Sequence, residues 1–252
     1  MMIALKIPTV CALMSAFALL ICVGCSSDDD TVTYDDVLEI NDNFDLDRNS
    51  WQGGFADYDV GEDDLFELGF ERTTLPQPLD TDQMALKLKG TNRSDDLFMF
   101  LKKKVDGLAP NTTYNARFSL EIASNVADNL VGIGGSPGES VFIKVGSATV
   151  EPQKTIVTEA NRDIYRINVD KGVQSNGGQN AVVIGDFSND TDQSVYTLKT
   201  LQQETDMVAQ TNANGELWLL VGTDSGFEGT TTIYYNEINV DLQLNRTAEL
   251  PQ

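Results

Sequence analysis

From residue 84 onward, apolar residues recur at every second position. "QMALKLKG" places Met84, Leu86 and Leu88 in phase, and "TTYNARFSLEIA" does the same with Tyr114, Ala116, Phe118, Leu120 and Ile122. "SVFIKVG", "IYRINVD", "AVVIGDF", "ELWLLVG" and "TTTIYYNEINVDLQL" continue the pattern. A period of two with one apolar face marks half-buried antiparallel strands. Clusters of turn formers separate the runs: "GTNRSDD", "DGLAPNT", "GIGGSPGE", "QSNGGQN" and "NANGE". No stretch of this region sustains a 3.6-residue period, and neither an internal repeat nor a Pro/Gly/Ser-rich linker divides it. The pattern predicts about ten or more strands in one all-β domain, an antiparallel two-sheet β-sandwich of the jelly-roll type. Its bounds are 38–244, with 245–252 as a C-terminal tail.

The start of the chain follows a different rule. "MMIALK" carries one positive charge at Lys6, and "IPTVCALMSAFALLICVG" is then continuously apolar. A charged start, an apolar run and small residues before a cut form the layout of a secretory signal. The run ends in "CVGCSSDDD". Small residues directly before a cysteine resemble the lipobox of bacterial lipoproteins, with Cys22 where that family usually has Leu. The resemblance implies a signal peptide over 1–24 and a lipidated Cys25 as the new N-terminus. Residues 25–37 then form an acidic flexible tether, and the "SSDDD" run resembles the surface-export signal of Bacteroidetes lipoproteins. Membrane attachment through the lipid on Cys25 and an outer-membrane location follow, with both the cell surface and the periplasmic side open. An uncleaved anchor ending at Gly24 and a soluble secreted protein are the other readings of this segment.

Composition narrows the chemistry. The chain has 3 cysteines, at positions 11, 22 and 25, and no histidine. The predicted domain therefore has no disulfide, no Cys/His zinc site and no histidine-based triad. A metal would be a hard cation held by oxygen, calcium above all. The formal charge of −22 excludes nucleic acid as a partner.

Four segments resemble, in order, the galactose-binding-like jelly rolls of carbohydrate-binding modules. They are "FDLDRNSWQGGFADYDV", "MALKLKG", "VDGLAPNTTYNARFSLEI" and "TTTIYYNEINVDL". The resemblance implies an extracellular glycan as ligand and a structural calcium near the first and last strands.

Individual residues offer functional and structural readings side by side. Trp51 can stack on a sugar or plug the core, and Trp218, amid apolar neighbours, reads as core. Tyr58 and Phe227 lie in polar or glycine-rich surroundings and are the candidates for exposed rings. The amides Gln174, Asn176, Gln179 and Asn180 can bond sugar hydroxyls or simply shape a wet loop. "DLDRNS" begins like a calcium loop at Asp45, Asp47 and Asn49, but lacks the later Gly and Glu. "GTDSGFEGTTTIYYNEI" offers Asp224, Glu228 and Glu237 as calcium-ligating carboxylates. Its later part reads as a closing strand with Tyr234, Ile238, Val240, Leu242 and Leu244 on one face and Ile233 and Tyr235 on the other. Two functions remain: a non-catalytic outer-membrane or cell-surface lipoprotein whose jelly roll binds glycan or another extracellular ligand, and a jelly-roll polysaccharide lyase or glycosidase. The second would need paired carboxylates, which no motif supplies, so the reading leans away from an enzyme.

Overall fold

The computed structural model describes residues 33–94 and 96–246. The expected signal peptide over 1–24, Cys25 and most of the expected tether lie outside them, as do the last residues of the expected tail. Fifteen strands follow among the described residues. They are β1 (Val37–Asn43), β2 (Gln52–Ala56), β3 (Tyr58–Asp59), β4 (Gly69–Thr74), β5 (Met84–Thr91), β6 (Leu97–Val105), β7 (Thr113–Ser124) and β8 (Val141–Ala148). β9 (Lys154–Glu159), β10 (Arg162–Ile167), β11 (Ala181–Asp186), β12 (Thr197–Gln202), β13 (Met207–Gln210), β14 (Leu217–Ser225) and β15 (Thr230–Leu244) complete the set.

One sheet runs β12-β7-β15-β5-β4, with β1 beside the C-terminal half of β15 and β13 beside β7. The other runs β11-β8-β14-β6-β2, and a small third sheet runs β3-β10-β9. Every pairing is antiparallel, as in β7–β15 and β14–β6. The chain alternates between the two large sheets from β5 to β8, and again from β14 to β15. This alternation makes the sandwich a jelly roll.

The alternation in sequence becomes the core. Tyr114, Ala116, Phe118, Leu120 and Ile122 of β7 are each fully buried, facing Met99, Leu101, Val145, Leu219 and Val221 of the opposite sheet within one cluster. Burying such a side chain stabilises by about 1.5–3 kcal/mol, so this cluster dominates the fold. Trp51 belongs to it at 1 % exposure. Its indole Nε1–H donates to Asp42 Oδ2 at 2.8 Å, and Lys103 Nζ reaches the same oxygen at 2.5 Å.

β15 corrects one expectation. Ile233 and Tyr235 are buried in the same core as Ile238, Val240 and Leu242, not on the opposite face. The pairing of β15 with β7 slips by one residue between Tyr235 and Glu237. This β-bulge inserts an extra residue and turns the later side chains back toward the core. Tyr234 consequently faces away, packing with Leu75, Ala85, Ala123 and Tyr196.

The outer face of the β11-β8-β14-β6-β2 sheet carries its own apolar patch: Phe98, Phe100, Ala148, Ala181 and Leu220 under Ile167 and Val169. The end of β10 and the 168–180 connection therefore lie over part of this face.

Candidate functional site

The uncovered part of this outer face holds a cleft of about 420 Å³ beside β2, lined by Gly53, Gly54, Phe100, Lys102, Gln153 and Lys154, with Phe55 and Glu151. The glycine pair lets two rings pack directly against β2. A Cβ on Gly53 would fall 2.3 Å from the Phe70 ring, and one on Gly54 2.3 Å from the Phe100 ring. Only glycine lets β2 lie between these two rings. Lys102 Nζ donates to Glu151 Oε1 at 2.6 Å and to the Pro152 carbonyl at 2.9 Å, and lies 5.6 Å from the centre of the half-buried Trp218 ring. The hydrogen bond from Lys102 holds the Glu151 carboxyl below the usual carboxylate range. Gln153 Nε2 donates to Glu151 Oε2 at 2.8 Å from an exposed position. Lys154 Nζ lies 3.9 Å from the centre of the Tyr165 ring and donates to Tyr58 Oη at 2.6 Å. Aromatic surface below and amide, ammonium and carboxylate groups at the rim suit a ligand with apolar faces and many hydroxyls.

A second feature lies nearby, beneath the 168–180 connection. Lys144 on β8 and Asp224 on β14 are both fully buried and joined at 2.7 Å through Nζ and Oδ2. Asp224 Oδ2 also accepts from Lys171 Nζ at 2.8 Å and from the Gln174 backbone N–H at 2.9 Å. Asp224 Oδ1 has no hydrogen-bond partner. Lys144 Nζ further donates to the carbonyls of Lys171 at 2.9 Å and Asn176 at 3.0 Å. Lys171 Nζ lies 3.0 Å from Asp57 Oδ2, an ionic contact without hydrogen-bond geometry, and 3.9 Å from Asp96 Oδ1. Arg166 Nη1 closes the group, donating to Asp57 Oδ1 at 3.1 Å and Asp96 Oδ2 at 2.9 Å.

The two lysines titrate in opposite directions. Burial lowers the pKa of Lys144, which the single carboxylate of Asp224 does not offset. Burial acts the same way on Lys171, but Asp224, Asp57 and Asp96 together outweigh it and raise its pKa. Burial, then the charge of Asp57, pushes the Asp96 carboxyl up to about 6. Clefts of about 400 Å³ and about 180 Å³ are each lined in part by Asp57, Asp96 and Arg166.

Asp57, Asp96 and Asp224 each place a carboxylate oxygen within 4.8 Å of the others, a group that can hold a cation. The Lys171 ammonium already lies among oxygens of all three carboxylates, at 3.0 Å from Asp57, 3.9 Å from Asp96 and 2.8 Å from Asp224. The residues present thus fit an ammonium better than calcium.

The sequence candidates are placed as follows. Tyr58, expected as an exposed ring, is only 1 % exposed. It packs on Phe66 and Tyr165, and its hydroxyl donates to Asp63, because it begins the short β3 strand that tucks under β10. Phe227 is half-buried, packed on the core with Gly132 and Gly229 against its ring. Trp218, expected in the core, faces outward from β14 because the phase of Leu217, Leu219 and Val221 points inward. The amide residues Gln174, Asn176, Gln179 and Asn180 share the 168–180 connection. Asn180 Nδ2 holds the Ser147 carbonyl, and the Gln179 backbone N–H is held by Asp170. Of the proposed calcium carboxylates, Asp224 is enclosed among lysines. Glu228 is exposed on the loop before β15, and Glu237 is exposed opposite Asn43 and Glu121. The carboxylates gathered around Asp224 are instead Asp57 and Asp96. Both were missed by reading the sequence, as were Lys144, Lys171 and the cleft residues Phe100, Lys102 and Gln153. One signal was available: Lys144 in "SVFIKVG" and Asp224 in "WLLVGTDSG" are lone charges inside apolar runs.

No family model matches the chain. No curated protein matches it. Among solved structures, it is similar to the carbohydrate-binding and catalytic modules of a Clostridium thermocellum endo-1,4-β-D-xylanase in complex with xylohexaose. The identity is 10 %, over 84 % of this chain and 30 % of that one, with a TM-score of 0.37. The chain thus spans under a third of that xylanase structure. It is also similar to the mannan-recognising module TmCBM27, at 11 % identity over 81 % and 97 % of the two chains, with a TM-score of 0.37. A third is the K1 cleaved adhesin domain of Lys-gingipain from Porphyromonas gingivalis, at 13 % identity over 82 % and 99 %, with a TM-score of 0.35. Likeness at this level carries no ligand over to this chain.

Proposed function

We propose that this chain is a non-catalytic, glycan-binding lipoprotein, held at the bacterial outer membrane by a lipid on Cys25 and displaying its jelly roll to extracellular ligand. The observation that carries the binding reading is the cleft beside β2. Gly53 and Gly54 line it, Phe100 lies beneath, Trp218 stands nearby, and Gln153, Glu151, Lys102 and Lys154 supply donors and acceptors. Sugars are bound by this combination of apolar ring face and directed polar groups. The chain's net charge of −22 favours neutral or cationic glycans over polyanions.

Catalysis is the weaker reading. The one close grouping of three carboxylates among the described residues is tied up by Lys144, Lys171 and Arg166, and Asp224 is shut off from solvent. A general acid must reach the bond it protonates. Calcium would have to displace the Lys171 ammonium, so the proposal gives it no structural part.

Incubation with a panel of polysaccharides separates the two readings. Retention without new reducing ends or unsaturated products supports binding; turnover of any panel member overturns it. Lipidation is tested separately: Cys25→Ala is expected to leave the precursor uncut and free of labelled fatty acid, and unchanged processing would overturn the anchor.

A further inference from the structure

Lys144 and Asp224 form the one fully buried lysine–carboxylate pair among the described ion pairs, and nothing in the proposed binding function uses it. Lys144 is paired directly with Gly222 across the β8–β14 ladder, and Asp224 lies two residues further along β14. The two side chains therefore emerge on the same outer face as diagonal neighbours. Both have no exposed surface, and the amine and carboxylate meet at 2.7 Å. A buried ion pair of this kind carries a large desolvation cost, and one uncharged product that expels water would remove it.

The surroundings of Asp224 are unequal on its two oxygens. Oδ2 is held by Lys171 Nζ at 2.8 Å and by the Gln174 backbone N–H at 2.9 Å, two donors aimed where negative charge would build during attack on the carboxyl carbon. Oδ1 has no hydrogen-bond partner. The carbonyls of Lys171 and Asn176 hold the Lys144 amine in place, and Asp57 and Asp96 stand within the same cluster.

We propose that Lys144 and Asp224 condense spontaneously after folding into an intramolecular isopeptide bond that clamps β8 to β14. The Lys144 nitrogen attacks the Asp224 carboxyl carbon, the new N–C bond forms, and the C–Oδ1 bond breaks. Oδ1 leaves as water, taking two of the three protons of the Lys144 ammonium through the neighbouring carboxyl groups, while the third stays on the amide nitrogen. The ammonium and carboxylate charges cancel, nothing is oxidised or reduced, and no co-reactant is needed. Oδ2 becomes the amide oxygen, still held by Lys171 and the Gln174 N–H.

The test is peptide mapping of the full chain, denatured and cleaved with trypsin. A bonded Lys144 resists cleavage, so the expected product is the peptide from Phe118 to Lys154 joined to that from Thr200 to Arg246, lighter by one water than the two together. Lys144→Arg should release the second peptide unjoined. Recovery of separate, unmodified peptides from the native chain overturns the proposal. Recovery of Asp224 joined through Lys171 overturns the assignment to Lys144.

Discussion

Two buried tyrosines should respond in opposite directions to loss of the same hydroxyl. Tyr235 and Tyr114 are both fully buried. Tyr114 Oη accepts a hydrogen bond from the Ala109 backbone N–H at 3.0 Å, tying the turn before β7 to the core. Tyr235 sits on β15 between Leu86 of β5 and Ile122 of β7, and its hydroxyl has no partner. Burial accordingly raises the Tyr235 pKa. An unpaired buried polar group costs about 1–3 kcal/mol, whereas a made hydrogen bond contributes about 0.5–1.5 kcal/mol. Tyr235→Phe should therefore stabilise by about 1 kcal/mol or more, and Tyr114→Phe should destabilise by about 1 kcal/mol. For a chain of this length each kcal/mol moves Tm by about 2–4 °C. Thermal unfolding followed by circular dichroism, with both variants run beside the parent, reads the contrast. A fall in Tm for Tyr235→Phe would refute the reasoning, since it would mean that the hydroxyl contributes a favourable bond.

Asp96 and the cation site give two further expectations. The Asp96 carboxyl is pushed up from 3.8 to about 6, so folding favours its protonated form. Its contribution to stability is complete below 3.8 and is lost as pH rises through about 6. Asp96→Asn should flatten the decline of Tm across that window, and an unchanged decline would show that other groups cause it. Because Lys171 already stands among the carboxylates, EDTA and added calcium should both leave Tm unchanged. A calcium-dependent rise, as for a ligand that binds only the folded state, would contradict the assignment.

Much of the fold was legible because strand alternation is a local property. The inward phase of β7, with Tyr114 buried at its start, follows directly from "TTYNARFSLEIA". The β15 error had a physical cause. Apolar residues at 233 and 235, then at 238, 240 and 242, look like two faces, yet a one-residue bulge brings them to one. The odd-to-even switch in phase was itself the sequence trace of that bulge. The candidate site was less legible, because it is assembled from distant pieces. Gly54 and Phe100 meet across β2–β6, while Gln153 and Lys154 arrive from the far side of β8. Asp57, Asp96, Lys171 and Asp224 come from four separate segments. Tyr58 was misread because polar neighbours in sequence say little about a residue that pairs with β10 and packs on Phe66 and Tyr165.

The central claim is that the cleft beside β2, and not the amide-rich 168–180 connection, holds glycan. Affinity electrophoresis through gels containing polysaccharides retained by the parent chain compares two pairs of variants directly. Gln153→Ala and Trp218→Ala should each weaken retention several-fold, while Asn176→Ala and Gln179→Ala, both at exposed positions of the connection, should leave it unchanged. Retention lost with the connection variants and kept with the cleft variants would contradict the account.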